Sequence, residues 1–247
     1  MSVGPFRFGR FGGTRASGAS QNDDAAFAIA GPNDTWECAA VVDAHGSDDS
    51  ARVMVEALRS ASDELAMTLT RPVADALLGF QSLILRLLTT RETVAALASC
   101  DFETAVLAAA RRDRFVSWVS VGDNPLLLFH PQLAQLGQHQ LNQRQFFEWV
   151  GNADSLRLPV ACYSSGVREL REGRNVLALV TDGFLEYINP PTEPRAFYND
   201  SQSSSTLDAI QRALLRVQGR QGRDSATVIA WDVTSPLPGL MPTTSSA

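Results

Sequence analysis

Five short acidic signatures lie where apolar, strand-like runs begin or end. Val41-Val42-Asp43-Ala44-His45-Gly46 closes one run, Val121-Gly122-Asp123-Asn124 a second, and Leu179-Val180-Thr181-Asp182-Gly183 a third. Asn22-Asp23-Asp24 and Gly222-Arg223-Asp224-Ser225 do the reverse, each leading into an apolar run. If the exiting strands run antiparallel to the entering ones, all these carboxylates meet at one edge of a sheet structure. Clustered carboxylates repel one another unless cations sit between them. An oxygen-only donor set suits hard divalent ions, magnesium or manganese. His45, two residues beyond Asp43, would lie close to such ions.

The elements that must position these residues follow from periodicity. Ala25 to Ala30 and Trp36 to Val42 read as two short strands around a Gly31-Pro32-Asn33-Asp34 turn. Ser47 or Asp48 can cap a helix in which Val53, Ala57, Leu58, Ala61 and Leu65 recur at helical spacing. Pro72 suits the first turn of a second helix, whose stripe of Val73, Ala76, Leu77, Phe80, Ile84, Leu87 and Leu88 is core packing. Phe102 to Ala110, Phe115 to Val121 and Leu126 to Phe129 read as a three-strand meander. Residues 132–174 are polar and irregular, with a weak helix near Phe146 to Val150, and read as a surface excursion or flap. Val176 to Val180 and Ala226 to Trp231 read as strands, with an amphipathic helix over Leu207 to Val217 between them. Residues 1–20 and 235–247 read as loose by composition, which leaves one domain over 21–234. Two sheets packed face to face with helices outside accommodate this order. Trp36, Trp118 and Trp231 fall on strands as core residues, and His130 and His139 suit surface or packing roles.

Bulk properties exclude several classes. A chain of 247 residues can bury an ample core. Its net charge of -6 argues against a nucleic-acid binder. No apolar run approaches the roughly 20 residues that span a bilayer, and residues 1–20 lack the apolar block of a signal peptide. Cys38, Cys100 and Cys162 are odd in number and without metal-ligand spacing, which fits reduced thiols in a cytoplasmic protein. Every basic side chain is arginine, a composition bias rather than a recognition signal.

In order and content these segments resemble the metal-dependent protein phosphatase 2C family, as a divergent member of bacterial type, over about residues 18–233. The family's Asp-Gly-His-Gly stands as Asp43-Ala44-His45-Gly46 and its Gly-Asp-Ser as Gly122-Asp123-Asn124. Its Thr-Asp-Gly is intact as Thr181-Asp182-Gly183. Its Asp-Asn is Asp224-Ser225, and its acidic pair is Asp23-Asp24. The resemblance implies an α+β, four-layer αββα sandwich, with two mainly antiparallel sheets flanked by helices. It implies hydrolysis of phosphoserine and phosphothreonine on phosphorylated protein partners, in signalling, by a hydroxide bridged between two magnesium or manganese ions. Asp43 would bridge both ions and Asp182 and Asp224 would complete the first site. Asp23 and the backbone carbonyl of Ala44 would hold the second ion. Asp123 would take a weaker third, Asp24 would act through ordered water, and His45 would protonate the leaving oxygen. The family's phosphate-clasping arginine falls at Ala19, leaving Arg15 as the candidate phosphate contact. Ala19, Ala44 and Ser225 depart from the family pattern. They keep open a catalytically weak phosphatase-like binding or regulatory module, and a hydrolase of small phosphorylated metabolites is a third reading.

Overall fold

The computed structural model describes residues 1–12, 21–186 and 193–241. Its strands form two five-stranded sheets in which all neighbours are antiparallel. One sheet runs in the order β1 (Ser2–Val3), β2 (Phe6–Phe11), β10 (Ala226–Ser235), β9 (Gly173–Val180) and β7 (Leu126–Phe129). The other runs β3 (Ala25–Ala30), β4 (Trp36–Ala44), β5 (Thr104–Arg112), β6 (Phe115–Val121) and β8 (Ser164–Glu169). Helices α1 (Asp49–Ser60), α2 (Ser62–Leu69), α3 (Val73–Thr89) and α4 (Arg91–Leu97) pack on the second sheet. Helices α6 (Asp182–Glu186), α7 (Glu193–Ser203) and α8 (Thr206–Gly219) pack on the first, and a short α5 (Pro131–Gln135) follows β7. The expected four layers, helix, sheet, sheet, helix, are therefore present.

Side-chain alternation along β4 shows why the site lies where it does. Successive strand residues point to opposite faces. Cys38, Ala40, Val42 and Ala44 pack with Met54, Phe80 and Ile84 of the helical layer. Ala39 and Val41 face the other sheet and pack with Leu107, Leu179, Ile229 and Trp231. With both faces buried the strand is apolar throughout rather than alternating. Asp43 shares the parity of Ala39 and Val41, so it belongs to the cleft between the sheets at one end of the sandwich. Glu37 has the same parity at the other end, directly across from Arg111 of β5.

Several sequence expectations need correction. The N-terminal residues are not loose where described: β1 and β2 pair into the first sheet and Phe6 is buried between the sheets. The meander loses its third member, since β7 leaves β6 and pairs with β9 across the sandwich. The helix expected to run through Leu65 breaks at Ala61 (φ -92°, ψ 7°) into α1 and α2. Pro72 precedes α3 as its N-cap instead of entering its first turn. No helix forms over residues 146–150. The polar excursion carries α5 and the edge strand β8. The three tryptophans are buried as expected, and the three cysteines are free. His130 has a packing role, accepting from the Gln132 backbone N–H at the start of α5. No single helix among the described residues is long and apolar enough to cross a membrane.

Candidate metal centre

Antiparallel pairing brings the acidic strand ends together. Asp43 is the penultimate residue of β4, and Asp24 immediately precedes the neighbouring β3. Asp182 lies two residues past the end of β9 and Asp224 two residues before the start of the adjacent β10. Asp123 lies in the turn that leaves β6. Asp43, Asp123 and Asp182 each offer a carboxylate oxygen within 4.8 Å of the others. Asp24 and Asp43 are each only 2% exposed.

The donor set fits divalent ions on electrostatic grounds. Burial raises the Asp43 carboxyl well above its ordinary value, and the charges of Asp182, Asp24 and Asp224 push it further. Burial also raises Asp24 to about 7, against hydrogen bonds from Thr227 and Thr181 that favour its ionised form. Asp43 Oδ2 and Asp24 Oδ1 are buried without a hydrogen-bond partner in the described structure. A buried acceptor with no donor is costly, and a bound cation removes that cost. Asp23, the other member of the pair, is half-buried and accepts from Gln21 Nε2 at 2.9 Å. Its neighbour Asp24 is among the charges that raise Asp43.

The surrounding residues hold the acids in place. Thr181 Oγ1 donates to Asp24 Oδ2 at 2.9 Å and accepts from the Thr227 backbone N–H at 2.9 Å, linking the two sheets through the site. Ser225 donates its N–H to Asp224 Oδ1 at 2.7 Å, while its hydroxyl accepts from the Asp23 N–H at 3.0 Å. The serine that replaces the expected asparagine thus ties two acidic loops together. Ala44 ends β4 and its side chain joins the helix-facing core. Gly183 is required by a close approach, because a Cβ there would lie 1.9 Å from the Ser225 carbonyl oxygen.

His45 stands at the mouth, with its side chain 44% exposed and Nδ1 3.9 Å from Asp43 Oδ1. The Trp149 ring meets it edge-on, with centroids 5.3 Å apart. Asp123 has a cationic partner: Arg144 Nη2 donates to its Oδ2 at 3.1 Å and Nε to its backbone oxygen at 2.9 Å. Arg144 and Trp149 were missed because the segment that carries them has no periodicity, and only its arginine and aromatic content marked it. Thr181 was legible as part of its motif, but its link to Asp24 was not. Arg15 and Ala19 lie outside the described residues.

The family model for Stage II sporulation protein E (SpoIIE) matches residues 34–234. Among solved structures, the chain is similar to the S. agalactiae serine/threonine phosphatase at 16% identity and a TM-score of 0.66, covering 93% of this chain and 99% of that one. It is similar to the Mycobacterium tuberculosis serine/threonine phosphatase PstP/Ppp at 16% identity and a TM-score of 0.63, with 93% and 99% covered. RsbX in complex with magnesium matches at 14% identity and a TM-score of 0.58, with 92% and 94% covered. A comparison with curated protein sequences gives no match.

Proposed function

The chain belongs to the Stage II sporulation protein E family, and on that premise we propose that it is a divalent-metal-dependent phosphatase acting on phosphoserine and phosphothreonine in proteins. The observation that carries this reading is the convergence of Asp43, Asp123 and Asp182 within 4.8 Å beside His45. Three buried carboxylates at that spacing favour a bound cation, and the half-exposed His45 imidazole stands beside them.

Asp43, Asp182 and Asp224 would hold one magnesium or manganese ion. Asp43, Asp23 and the Ala44 carbonyl would hold the other. When bound, such a pair lowers the pKa of a water toward neutrality and offsets the charge of a phosphoryl group. Asp24, held by the Thr181 hydroxyl, would accept a hydrogen bond from such a water. His45 donates a proton to the serine or threonine oxygen as it departs, since an alkoxide is a poor leaving group. The Trp149 ring packs edge-on against the imidazole.

The test is manganese-dependent release of phosphate from a phosphothreonine peptide, run beside small phosphoesters and with chelator. Release from the peptide that stops with chelator supports the reading. No release from any ester refutes it in favour of a binding module. Release from small esters alone would assign a metabolite as substrate.

A further inference from the structure

The proposed phosphatase needs a positive group for the substrate's phosphate. Arg144 belongs to a short segment that forms one side of the site's mouth. Its neighbour Gln145 donates its N–H to the Gly122 carbonyl at 3.1 Å, so the segment is fastened to the turn that carries Asp123. Further along, Trp149 packs on His45, and Val150 bridges to Thr104 at the start of β5. Phe147, between them, holds a left-handed φ of 68° while 89% exposed. A bulky residue held in that region signals a backbone constrained by its surroundings, and such strain clusters at functional sites.

The guanidinium is aimed by three contacts. Nε and Nη2 donate to Asp123, and the Phe146 ring lies 4.9 Å from Cζ. Nη1 makes no hydrogen bond with a described residue, and the side chain is 24% exposed. Asp123 also has a carboxylate oxygen within 4.8 Å of those of Asp43 and Asp182. Arg144 is therefore linked through Asp123 to the candidate metal cluster. Its charge offsets that of the Asp123 carboxylate through Oδ2.

Two other arginines are near and are less well placed. Arg10 Nη2 is engaged with Asn22, donating to its Oδ1 at 2.6 Å, and with the Asp24 carbonyl, so it braces the acidic loop. Arg223 adjoins Asp224 but forms no ion pair with a described residue and is exposed. We propose that Arg144, seated on Asp123, takes the phosphate of the substrate in this chain, in the place where a third ion would otherwise sit. The assignment rests on the phosphatase reading for the identity of the ester, but the anion contact itself can be measured without turnover.

Calorimetry on the manganese-loaded protein with inorganic phosphate is the test, using wild type, R144A, R144K and R223A. Loss of one charge-assisted hydrogen bond should weaken phosphate binding roughly 10–150-fold in R144A. R144K should recover part of that, since lysine keeps the charge without the fork; it also serves if R144A does not fold. R223A should bind phosphate like wild type. Titration with manganese should give two ions in wild type and a weaker third in R144A. Unchanged phosphate affinity in both Arg144 variants, the loss appearing in R223A instead, or three ions in wild type would each overturn the proposal. Phosphate binding through Arg144 with no release from any phosphopeptide would refute the phosphatase reading and leave this assignment standing. A wild type that binds no phosphate would overturn both.

Discussion

The proposed bridging role of Asp43 gives the sharpest residue-scale test. Asp43 lies between carboxylates from both sheets, and its own charge is strongly disfavoured without a cation. Asp43→Asn should abolish turnover and the tight phase of manganese binding, because a neutral amide cannot replace a carboxylate shared by two dications. Unchanged metal titration would sink the assignment. His45→Ala should slow hydrolysis of phosphothreonine by roughly 10²–10⁴-fold, the usual span for general acid catalysis. An aryl phosphate, whose leaving group needs little protonation, should lose much less; equal losses would make His45 structural. Gly183→Ala acts indirectly. Its Cβ would drive against the Ser225 carbonyl and separate Asp182 from Asp224. Since residues that orient ligands typically control about 10–100-fold in metal affinity, calorimetry should show a loss in that range, and native affinity would show that the loop yields without moving the acids.

Elements show which parts of the chain could be read from sequence. β3, β4, β5 and β6 were legible because each is a continuous apolar run bounded by turn residues, and the acids at their ends carried the motif. β2 was not: Phe6-Arg7-Phe8-Gly9-Arg10-Phe11 contains a glycine and carries one arginine on each face, and its place in the sheet comes from pairing with β10 more than 200 residues away. Adjacency in sequence suggested that β7 joins β6, yet Leu126 to Phe129 is apolar on both faces and carries no sign of which sheet it enters. The acidic motifs fixed the candidate ligands, whereas Arg144 and Trp149 arrive from an aperiodic segment that only the folded chain brings to the mouth. The far end of β4 holds a feature of comparable consequence. Glu37 and Arg111 form a buried ion pair between the sheets, with Arg111 Nε donating to Glu37 Oε2 at 2.5 Å and exposures of 2% and 9%. Removing one partner of a buried pair leaves an uncompensated charge and typically costs about 3–5 kcal/mol. Arg111→Met should lower the urea midpoint accordingly while metal binding at the opposite end persists; the double variant Glu37→Gln/Arg111→Met should recover part of the loss. A single-variant effect under about 1 kcal/mol would indicate that water reaches the pair.

Across the whole molecule, the buried acids tie fold stability to pH, and on the proposed reading to metal as well. Asp24 is raised from 3.8 to about 7, and Asp43 is raised in the same direction. A carboxyl whose folded value exceeds its unfolded value keeps its proton longer in the folded state. Between about pH 4 and pH 7 the folded protein therefore binds more protons than the unfolded chain, and stability falls as pH rises. Below that window both states are protonated and the penalty is absent; above it the Asp24 share of the penalty is complete. In chelator, the melting temperature should thus decline from pH 4.5 to pH 7.5. Asp24→Asn should flatten this decline, and the comparison isolates Asp24 from other titrating groups such as Glu37, which is also raised by burial. Manganese should reverse the decline at pH 7.5, since a ligand at 100 times its dissociation constant contributes about 2.7 kcal/mol. It should do little at pH 4.5, where the carboxyls hold their protons and compete with the ion. Thermal denaturation across these four conditions is decisive. A melting temperature that rises with pH in chelator, or a manganese effect as large at pH 4.5 as at pH 7.5, would mean that the buried acids are not the groups through which the ions stabilise the fold.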